Sequence, residues 1–132
     1  MRHTKEWSAT VEAADAVVLV TPEYNFGYPA TLKNAIDYLH QEWHHKPVGF
    51  VSYGGVAAGT RAVQQLKQVV TTLRMLPVFE GVHIPWHPRF IADGRFRGTA
   101  EMRRARTVVE STETARSRSS SASAWATRAV NR

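Results

Sequence analysis

The stretch AVVLVTPEYNFGYPATLKNAIDYL, residues 16–39, contains the transition that decides the fold. Residues 16–20 form a continuous apolar, β-branched run, which is typical of a strand covered on both faces in a parallel sheet. Residues 30–41 place apolar side chains at helical spacing, and Pro29 can open that helix. Between the two, prolines restrict the backbone and Gly27 permits a positive φ. The stretch therefore predicts a strand, a rigid loop and a helix.

The same alternation continues along the chain. Residues 5–15 have the spacing of the last turns of a helix, and residues 48–53 form a second apolar strand that ends in GGVAAG. Residues 60–75 carry a third helical pattern, and residues 78–86 give a third, shorter strand region. Strands that alternate with helices imply a parallel sheet. We therefore predict an α/β protein with a three-stranded parallel sheet and flanking helices.

Composition limits the classes of protein to consider. A chain of 132 residues, 43% of them hydrophobic, can form one domain with a real core. It has no cysteine, which excludes a disulfide scaffold, a thiolate metal site and a cysteine nucleophile. No apolar run reaches the roughly 20 residues that span a bilayer, and the N-terminus lacks the apolar stretch of a secretion signal. We predict a cytoplasmic location and no membrane contact.

The net charge of +6 is concentrated near the C-terminus, because residues 1–100 contribute +2 and residues 101–132 contribute +4. Residues 101–111 have a weak helical pattern. Residues 112–132 are rich in Ser, Ala and Arg with little periodicity, so we predict a disordered basic tail there. Nucleic-acid binding through the four arginines of that tail is the weakest functional hypothesis, since a basic end is usually a solvated one.

Two loops follow the predicted strands at the edge where open α/β sheets bind ligands. The first loop offers flat aromatic surface from Tyr24, Phe26 and Tyr28, and the second has glycines that let a ligand approach backbone amides, at Gly54 and Gly55. This combination suits a planar heterocycle with hydrogen-bonding edges, such as a flavin ring. For Phe26 and Tyr28, plain loop packing and ring contact both stay open.

Several motifs resemble one known family. TPEYN is followed by P-A-x-LKNAIDYL, then by VGFVSYGG and AGxRAxxQL, and finally by DGRF, across residues 8–103. In order and spacing these resemble the second half of the NADPH-dependent FMN reductases of flavodoxin-like fold, which include quinone and azo reductases. The resemblance implies FMN as cofactor, NAD(P)H as electron donor, and a quinone, azo compound, metal oxyanion or free flavin as small-molecule acceptor.

The resemblance also implies which residues bind the flavin ring. Carried over position by position, they are Pro22, Glu23, Tyr24, Asn25, Phe26, Ser52, Tyr53, Gly54 and Gly55. The segment from Leu32 to Leu39 corresponds to a helix that commonly forms the family's dimer interface, so a homo-oligomer, dimer or tetramer, is expected. No catalytic residue is named, because hydride transfer between stacked rings belongs to the cofactor.

The chain departs from the family pattern at its start. Members of the family begin with a strand and a Ser/Arg-rich loop around the FMN phosphate, and no such segment is present here. We therefore expect a truncated flavodoxin-like domain over residues 1–111, without the phosphate anchor and with an exposed edge at the first strand that favours oligomers. The alternative is a non-catalytic remnant or oligomerisation module of the family without competent FMN binding.

Other interpretations of single motifs are weaker. GGVAAG has neither the G-x-G-x-x-G spacing nor the lysine of a P-loop. His40 and His44 lie four residues apart but lack the rest of a metal motif, so we expect surface histidines and no metal. Ser52 is outside any G-x-S-x-G nucleophile elbow. The four tryptophans are predicted to lie in the core or an interface, except Trp125 in the tail.

Overall fold

The structure is a computed structural model, and it describes residues 2–100, 102–104, 110, 111, 114 and 117. Helices and strands alternate along the chain, as the apolar pattern predicts, and a short hairpin follows. The elements are α1 (Arg2–Ala13), β1 (Val17–Pro22), α2 (Ala30–Asp37), β2 (Pro47–Gly54), α3 (Thr60–Thr72), β3 (Leu76–Pro85), β4 (Ile91–Ala92) and β5 (Arg95–Phe96). In this described part, no helix combines the length and the apolarity of a membrane-crossing segment.

The three long strands form a parallel sheet in the order β1-β2-β3, which confirms the predicted fold class. The register aligns the carboxyl ends of the strands, because Pro22 pairs with Tyr53 and Gly54 pairs with Pro85. Among the described residues, β1 pairs with β2 only. The helices that connect the strands pack against the sheet. The carboxyl ends of the strands continue into loops, which lie together at that edge of the sheet.

The main core lies between α3 and one face of the sheet. Leu66 and Val70 from α3 and Val48 and Phe50 from β2 are almost completely buried there. Each such side chain contributes about 1.5–3 kcal/mol through the apolar surface it removes from water. The other buried members of this cluster are Val11, Leu19, Ile36, Leu39, Trp43, Val63 and Met75.

A smaller apolar cluster covers the opposite face of the sheet. Val78, Val82 and Ile84 of β3 pack there with Val51 and Tyr53 of β2 and with side chains that follow the sheet. Val51 and Tyr53 alternate with Phe50 and Ser52, and successive residues of a strand point to opposite faces. The sheet is thus apolar on both sides, as its sequence predicts.

Segment α2 turns its apolar side towards the core. Ile36 and Leu39 are buried, and the indole N–H of Trp43 donates a hydrogen bond to the Ile36 carbonyl at 3.0 Å. The indole N–H of Trp7 donates to the Ala35 carbonyl at 2.8 Å. The Trp7 bond gives a carbonyl near the end of the helix a side-chain donor. The Trp43 bond adds to the one that the Leu39 N–H makes with the Ile36 carbonyl at 3.3 Å. The amphipathic helix is confirmed, but it ends at Asp37 rather than at residue 41.

Three details of the strand and helix predictions are wrong. β1 is not covered on both faces among the described residues, because Val20 is 61% exposed. β3 is the longest strand rather than a shorter one, since it bulges between Pro77 and Gly81, opposite residues 48–50 of β2. Helix α3 ends at Thr72 because Arg74 adopts a left-handed conformation, with φ of 57°.

The C-terminal predictions fall largely outside the described residues. Residues 105–109 of the weak helical pattern and most of residues 112–132 are not described, so the disordered tail and its boundary stay predictions. Of the tail, Thr114 and Ser117 are described, and both are helical. Ahead of it, the predicted loop contains the antiparallel β4–β5 hairpin, which turns at Asp93 and Gly94.

Candidate functional site

Three loops meet at the carboxyl edge of the parallel sheet. They are the first loop (residues 23–29, after β1), the second loop (residues 55–59, after β2) and the third loop (residues 86–90, after β3). Residues with positive φ occur in all three loops, at Asn25, Phe26, Ala58, Gly59 and Trp86. For residues other than glycine this conformation is strained, and such strain persists only where the surrounding structure holds it.

Main-chain hydrogen bonds connect these loops to the central strand. The Glu23 N–H donates to the Tyr53 carbonyl at 3.1 Å, and the Trp86 N–H donates to the Gly54 carbonyl at 2.8 Å. The loops therefore extend the sheet pairing by one residue on each side of β2. The sequence predicted the first two loops as the site and left out the third, although the strand predicted over residues 78–86 ends within one residue of Pro85, the last residue of β3.

The first loop closes on a tight turn. Tyr24 and Gly27 exchange two backbone hydrogen bonds, at 2.8 and 2.9 Å, around Asn25 and Phe26. The φ angles of Asn25 and Phe26 are 49° and 72°, as in the turns that usually take Asn-Gly. The prediction that Gly27 supplies the positive φ is therefore wrong, and a bulky Phe26 occupies a conformation that favours glycine.

Two aromatic rings of the first loop face outwards and the third does not. Tyr24 is 64% exposed and Phe26 is 62% exposed, whereas Tyr28 packs against the main core. Pro22 is the last residue of β1, so it aligns the start of the loop with the sheet. The structure thus gives Tyr28 a packing role and leaves Tyr24 and Phe26 available to a ligand.

An ion pair fastens the first loop to helix α3. The Glu23 carboxylate accepts a hydrogen bond from the Arg61 side-chain Nε at 2.5 Å, and a second guanidinium nitrogen contacts the same oxygen. The guanidinium carbon also lies 3.8 Å from the centre of the Phe26 ring. Gln65 donates to the Phe26 carbonyl at 3.0 Å. Arg61 was not predicted as a site residue, although it is the arginine of the AGxRAxxQL motif.

The same carboxylate occupies the first turn of α3. The Arg61 backbone N–H donates to the second Glu23 oxygen at 3.2 Å, and the Thr60 N–H donates to the Ala57 carbonyl at 2.9 Å. A helix N-terminus attracts anions, and here a carboxylate of the protein supplies that charge. A phosphate at this helix would have to displace Glu23, which argues against a P-loop role for GGVAAG.

The second loop contains two backbone amides without a protein acceptor in the described part of the chain. The Gly55 and Val56 N–H groups have no hydrogen-bond acceptor among the described residues, and both residues are exposed. A Cβ added at Gly55 would meet only the Trp86 ring at 3.9 Å, whereas one at Gly54 would lie 3.2 Å from the Gly59 nitrogen. Gly55 thus leaves room for a planar ring whose carbonyl oxygens could accept from these amides. Contact between this loop and the pyrimidine edge of a flavin stays a prediction.

Buried polar contacts hold the second loop from beneath. Ser52 has no exposed surface, and its hydroxyl donates to the Ala58 carbonyl at 2.8 Å. His83 Nδ1 lies 2.7 Å from the same hydroxyl, and since a hydroxyl has one proton, His83 is the donor in that contact. Burial and the positive charge of Lys67 hold the pKa of His83 below its ordinary value. Ser52 is therefore a buried support of the loop rather than a nucleophile.

The histidines of residues 40–45 lie around a short 3₁₀ helix, Gln41–Trp43. The His40 and His44 rings meet edge to face, with centres 4.9 Å apart, on either side of a short 3₁₀ helix. In the described part of the chain, no group of three or more histidine and acidic side chains is arranged to hold a metal ion. A cavity of about 640 Å³ beside them is lined by Glu12, His40, Gln41 and Glu42.

The fold is that of a flavodoxin-like α/β protein, and its loops form a candidate ligand site at the carboxyl edge. The solved structure of FerB, a flavoenzyme NAD(P)H:(acceptor) oxidoreductase from Paracoccus denitrificans, matches it with a TM-score of 0.67. The match covers 89% of this chain and 67% of that one at 24% identity, so it supports the fold alone.

Sequence comparison gives the family. The family described as NADPH-dependent FMN reductase matches residues 2–86, so the chain belongs to it. The chain is 54% identical over 72 residues to the NAD(P)H-dependent FMN reductase LOT6 of Saccharomyces cerevisiae, which covers 54% of this chain and 37% of that enzyme. It is 46% identical over 77 residues to a quinone reductase of Escherichia coli K12, which covers 49% of this chain and 41% of that enzyme.

The match confirms the predicted family, with FMN and NAD(P)H as the cofactors that the family uses. The chain spans less than half the length of the two reductases. None of these matches tests the ring-binding residues individually, so those assignments stay predictions.

Proposed function

We propose that the chain binds the isoalloxazine ring of FMN at the carboxyl edge of its sheet and takes part in electron transfer from NAD(P)H to a quinone or another small-molecule acceptor. The observation that supports this most is the ion pair between Glu23 and Arg61, because it holds the aromatic first loop against the helix that follows the second loop. Two loops of different sequence thus present one surface. The cytoplasmic location remains a prediction.

The residues at this surface have distinct parts in the proposed binding. Tyr24 and Phe26 present flat apolar surface, which suits stacking and excludes water from a ring. The Gly55 and Val56 amides donate hydrogen bonds to the ring's carbonyl oxygens. When bound, FMN supplies the redox chemistry, and the protein supplies position and electrostatic environment. No proton transfer by a side chain is required, in agreement with the absence of a predicted catalytic residue.

A flavin titration tests the proposal. The purified chain is titrated with FMN and with riboflavin, which has the same ring without the phosphate, and binding is followed by quenching of flavin fluorescence. Comparable affinity for both is expected if the ring loops carry binding. Markedly tighter FMN binding would indicate a phosphate site beyond these loops. Binding of neither flavin would contradict the proposal and favour the non-catalytic alternative.

A substitution at Gly55 localises the binding. Gly55→Val adds bulk where the nearest atom to the new Cβ is 3.9 Å away, so the loop can keep its shape while the ring loses its place. We expect a loss of riboflavin affinity of at least about tenfold, equivalent to roughly 1.4 kcal/mol. Gln64→Ala, on the exposed side of α3, is the matched control. Unchanged affinity in Gly55→Val would show that the ring lies elsewhere.

We further propose that the outer face of α2 forms a homo-oligomer contact. The apolar side of the Leu32 to Leu39 segment cannot do so, because Ile36 and Leu39 are buried in the core. Tyr38, 59% exposed, is the apolar side chain that the segment offers to a partner. Tyr38→Glu, directly after the last residue of α2, should shift the sedimentation profile towards monomer, and Thr31→Ala in the first turn of α2 is the control. An unchanged profile in Tyr38→Glu would remove α2 from the interface.

A further inference from the structure

Trp86, the first residue of the third loop, has a backbone conformation that bulky residues rarely adopt. Its φ and ψ are 50° and 44°, in the left-handed region. Two hydrogen bonds hold it there, because its N–H donates to the Gly54 carbonyl at 2.8 Å and its carbonyl accepts from the Arg89 N–H at 3.0 Å. The backbone that carries the indole is therefore held beside the second loop. Trp86 was predicted to lie in the core or an interface; it is 49% exposed and so outside the core, and an interface role stays a prediction.

The position of the indole makes it a wall of the candidate site. Its Cζ3 atom lies 3.9 Å from the place of a Cβ on Gly55, and the residue is 49% exposed. Behind it, the Tyr53 and His87 rings meet edge to face with centres 4.9 Å apart, so the third loop has a packed base. A fixed, half-exposed indole next to exposed amides offers stacking surface to an aromatic ligand.

A positive charge accompanies the indole. The Arg89 guanidinium carbon lies 5.6 Å from the centre of the Trp86 ring, within the range of a cation–π contact. Two other arginines at this side of the chain have carboxylate partners, since Arg61 pairs with Glu23 and Arg97 with Asp93. Within the described ranges, Arg89 has no carboxylate in ion-pair distance. Its charge is available to an anion at the edge of the indole.

We infer that Trp86 and Arg89 form a subsite for the electron acceptor, and that this subsite selects planar aromatic compounds bearing a sulfonate or carboxylate. The inference rests on the proposed function, because an acceptor must lie next to the ring-binding loops. Trp86 stacks on the aromatic part, and Arg89 pairs with the anionic group. A phosphate-bearing dinucleotide also combines an aromatic ring with an anionic group. The experiment therefore distinguishes a dinucleotide from an anionic aromatic acceptor.

Direct binding to the purified chain without flavin tests the subsite. Calorimetric titrations use naphthoquinone sulfonate, the neutral naphthoquinone menadione, and NADP⁺. Naphthoquinone sulfonate should bind roughly two- to fivefold more tightly than menadione, as a partly exposed ion pair allows, and this preference should decline with added salt. Arg89→Ala should abolish the preference, whereas Arg95→Ala, an exposed arginine of the nearby hairpin, should keep it. A preference that survives in Arg89→Ala overturns the inference.

Variants of Trp86 separate stacking from folding. Trp86→Phe keeps a flat ring and should retain most of the affinity for both quinones, while Trp86→Ala should weaken both about equally. Helical circular dichroism of each variant confirms the fold. Equal quinone affinity in wild type, Trp86→Phe and folded Trp86→Ala contradicts the inference. So does a loss confined to NADP⁺ in Arg89→Ala, which assigns the subsite to a dinucleotide.

The same proteins distinguish a failure of this inference from a failure of the proposed function. Flavin titrations are run on wild type and Arg89→Ala. If neither flavin binds but the sulfonate preference depends on Arg89, the proposed function fails and the subsite stands. If flavin binds equally well to both proteins and the sulfonate preference is absent, the proposed function stands and the subsite is rejected.

Discussion

The first and second loops lie side by side, yet different kinds of contact hold them. The first loop is fastened by a partly exposed side chain, Arg61, which spans from α3 to Glu23 and Phe26. The second loop is held from within by Ser52, which is fully buried. Gly59, the last residue of the loop, packs against Ser52. Buried contacts contribute to the stability of the whole domain, whereas an exposed ion pair mainly sets the shape of the surface. Substitutions in the two loops test whether stability and surface shape divide in this way.

Gly59→Ala should have the largest effect. A Cβ there would lie 2.7 Å from the Ser52 Cβ and 2.9 Å from the Tyr53 nitrogen, and φ is +80°. The clash with buried atoms and the backbone strain together should lower the free energy of unfolding by about 2–4 kcal/mol. Chemical denaturation measures the loss. Gly94→Ala is the control, because φ is +68° but nothing lies within 4 Å, so only about 1 kcal/mol should be lost. Equal losses would show that packing beneath the second loop is unimportant.

Ser52→Ala should have the next largest effect. The variant removes the hydroxyl that joins the Ala58 carbonyl to His83 Nδ1 and leaves a buried carbonyl without this donor. A loss of about 1–3 kcal/mol in the free energy of unfolding is expected. Thr71→Ala, which removes an exposed hydroxyl bonded to a helix carbonyl, should change stability by less than about 0.5 kcal/mol. If Ser52→Ala were as mild as Thr71→Ala, the buried support would be dispensable.

Arg61→Ala should reduce both stability and flavin binding. The Arg61 side chain is 41% exposed, so solvent reduces the contribution of its ion pair to stability. The Glu23 side chain is only 6% exposed, however, and in the variant it loses its guanidinium partner. We expect a loss of about 1–2 kcal/mol in the free energy of unfolding and a loss of riboflavin affinity of several-fold as the first loop moves. Arg97→Ala, which breaks the exposed pair with Asp93, serves as control. Unchanged riboflavin affinity in Arg61→Ala would mean that the fastening has no role in ring binding.

His83 should produce the smallest effect, a pH dependence of stability. Its pKa is held below the ordinary value of 6.5 by burial and by Lys67. As the pH falls below about 6.5, the unfolded chain binds a proton at His83 before the folded chain does, so the free energy of unfolding decreases. The decrease ends once the pH is below the pKa of His83 in the folded chain. Above about pH 7.5 this histidine makes no pH-dependent contribution. His83→Gln, which keeps a side-chain donor, should flatten this decline. Its difference from wild type removes the contribution of His44, whose pKa is also depressed. An identical decline in both proteins would rule out His83 as its source.

The site was predicted from sequence only as far as local pattern reaches. The glycines and aromatics of the first two loops were identified because they follow apolar runs that end abruptly. The backbone within the first loop was predicted incorrectly, since Phe26 rather than Gly27 takes the positive φ. That conformation depends on two reciprocal hydrogen bonds and on the Arg61 contact, which lie outside the rules for turn composition.

The sequence by itself determined the alternation of strands and helices, the parallel sheet and the family, because side-chain period directly reflects which faces are buried. Only the tertiary structure decided which side chains meet at the carboxyl edge. Arg61 reaches Glu23 across 38 positions of the chain, and Ser52 and His83 meet across 31. Trp86 joins them because β3 ends one residue before it. Such contacts depend on strand register and loop geometry, and neither is encoded in the spacing of apolar residues.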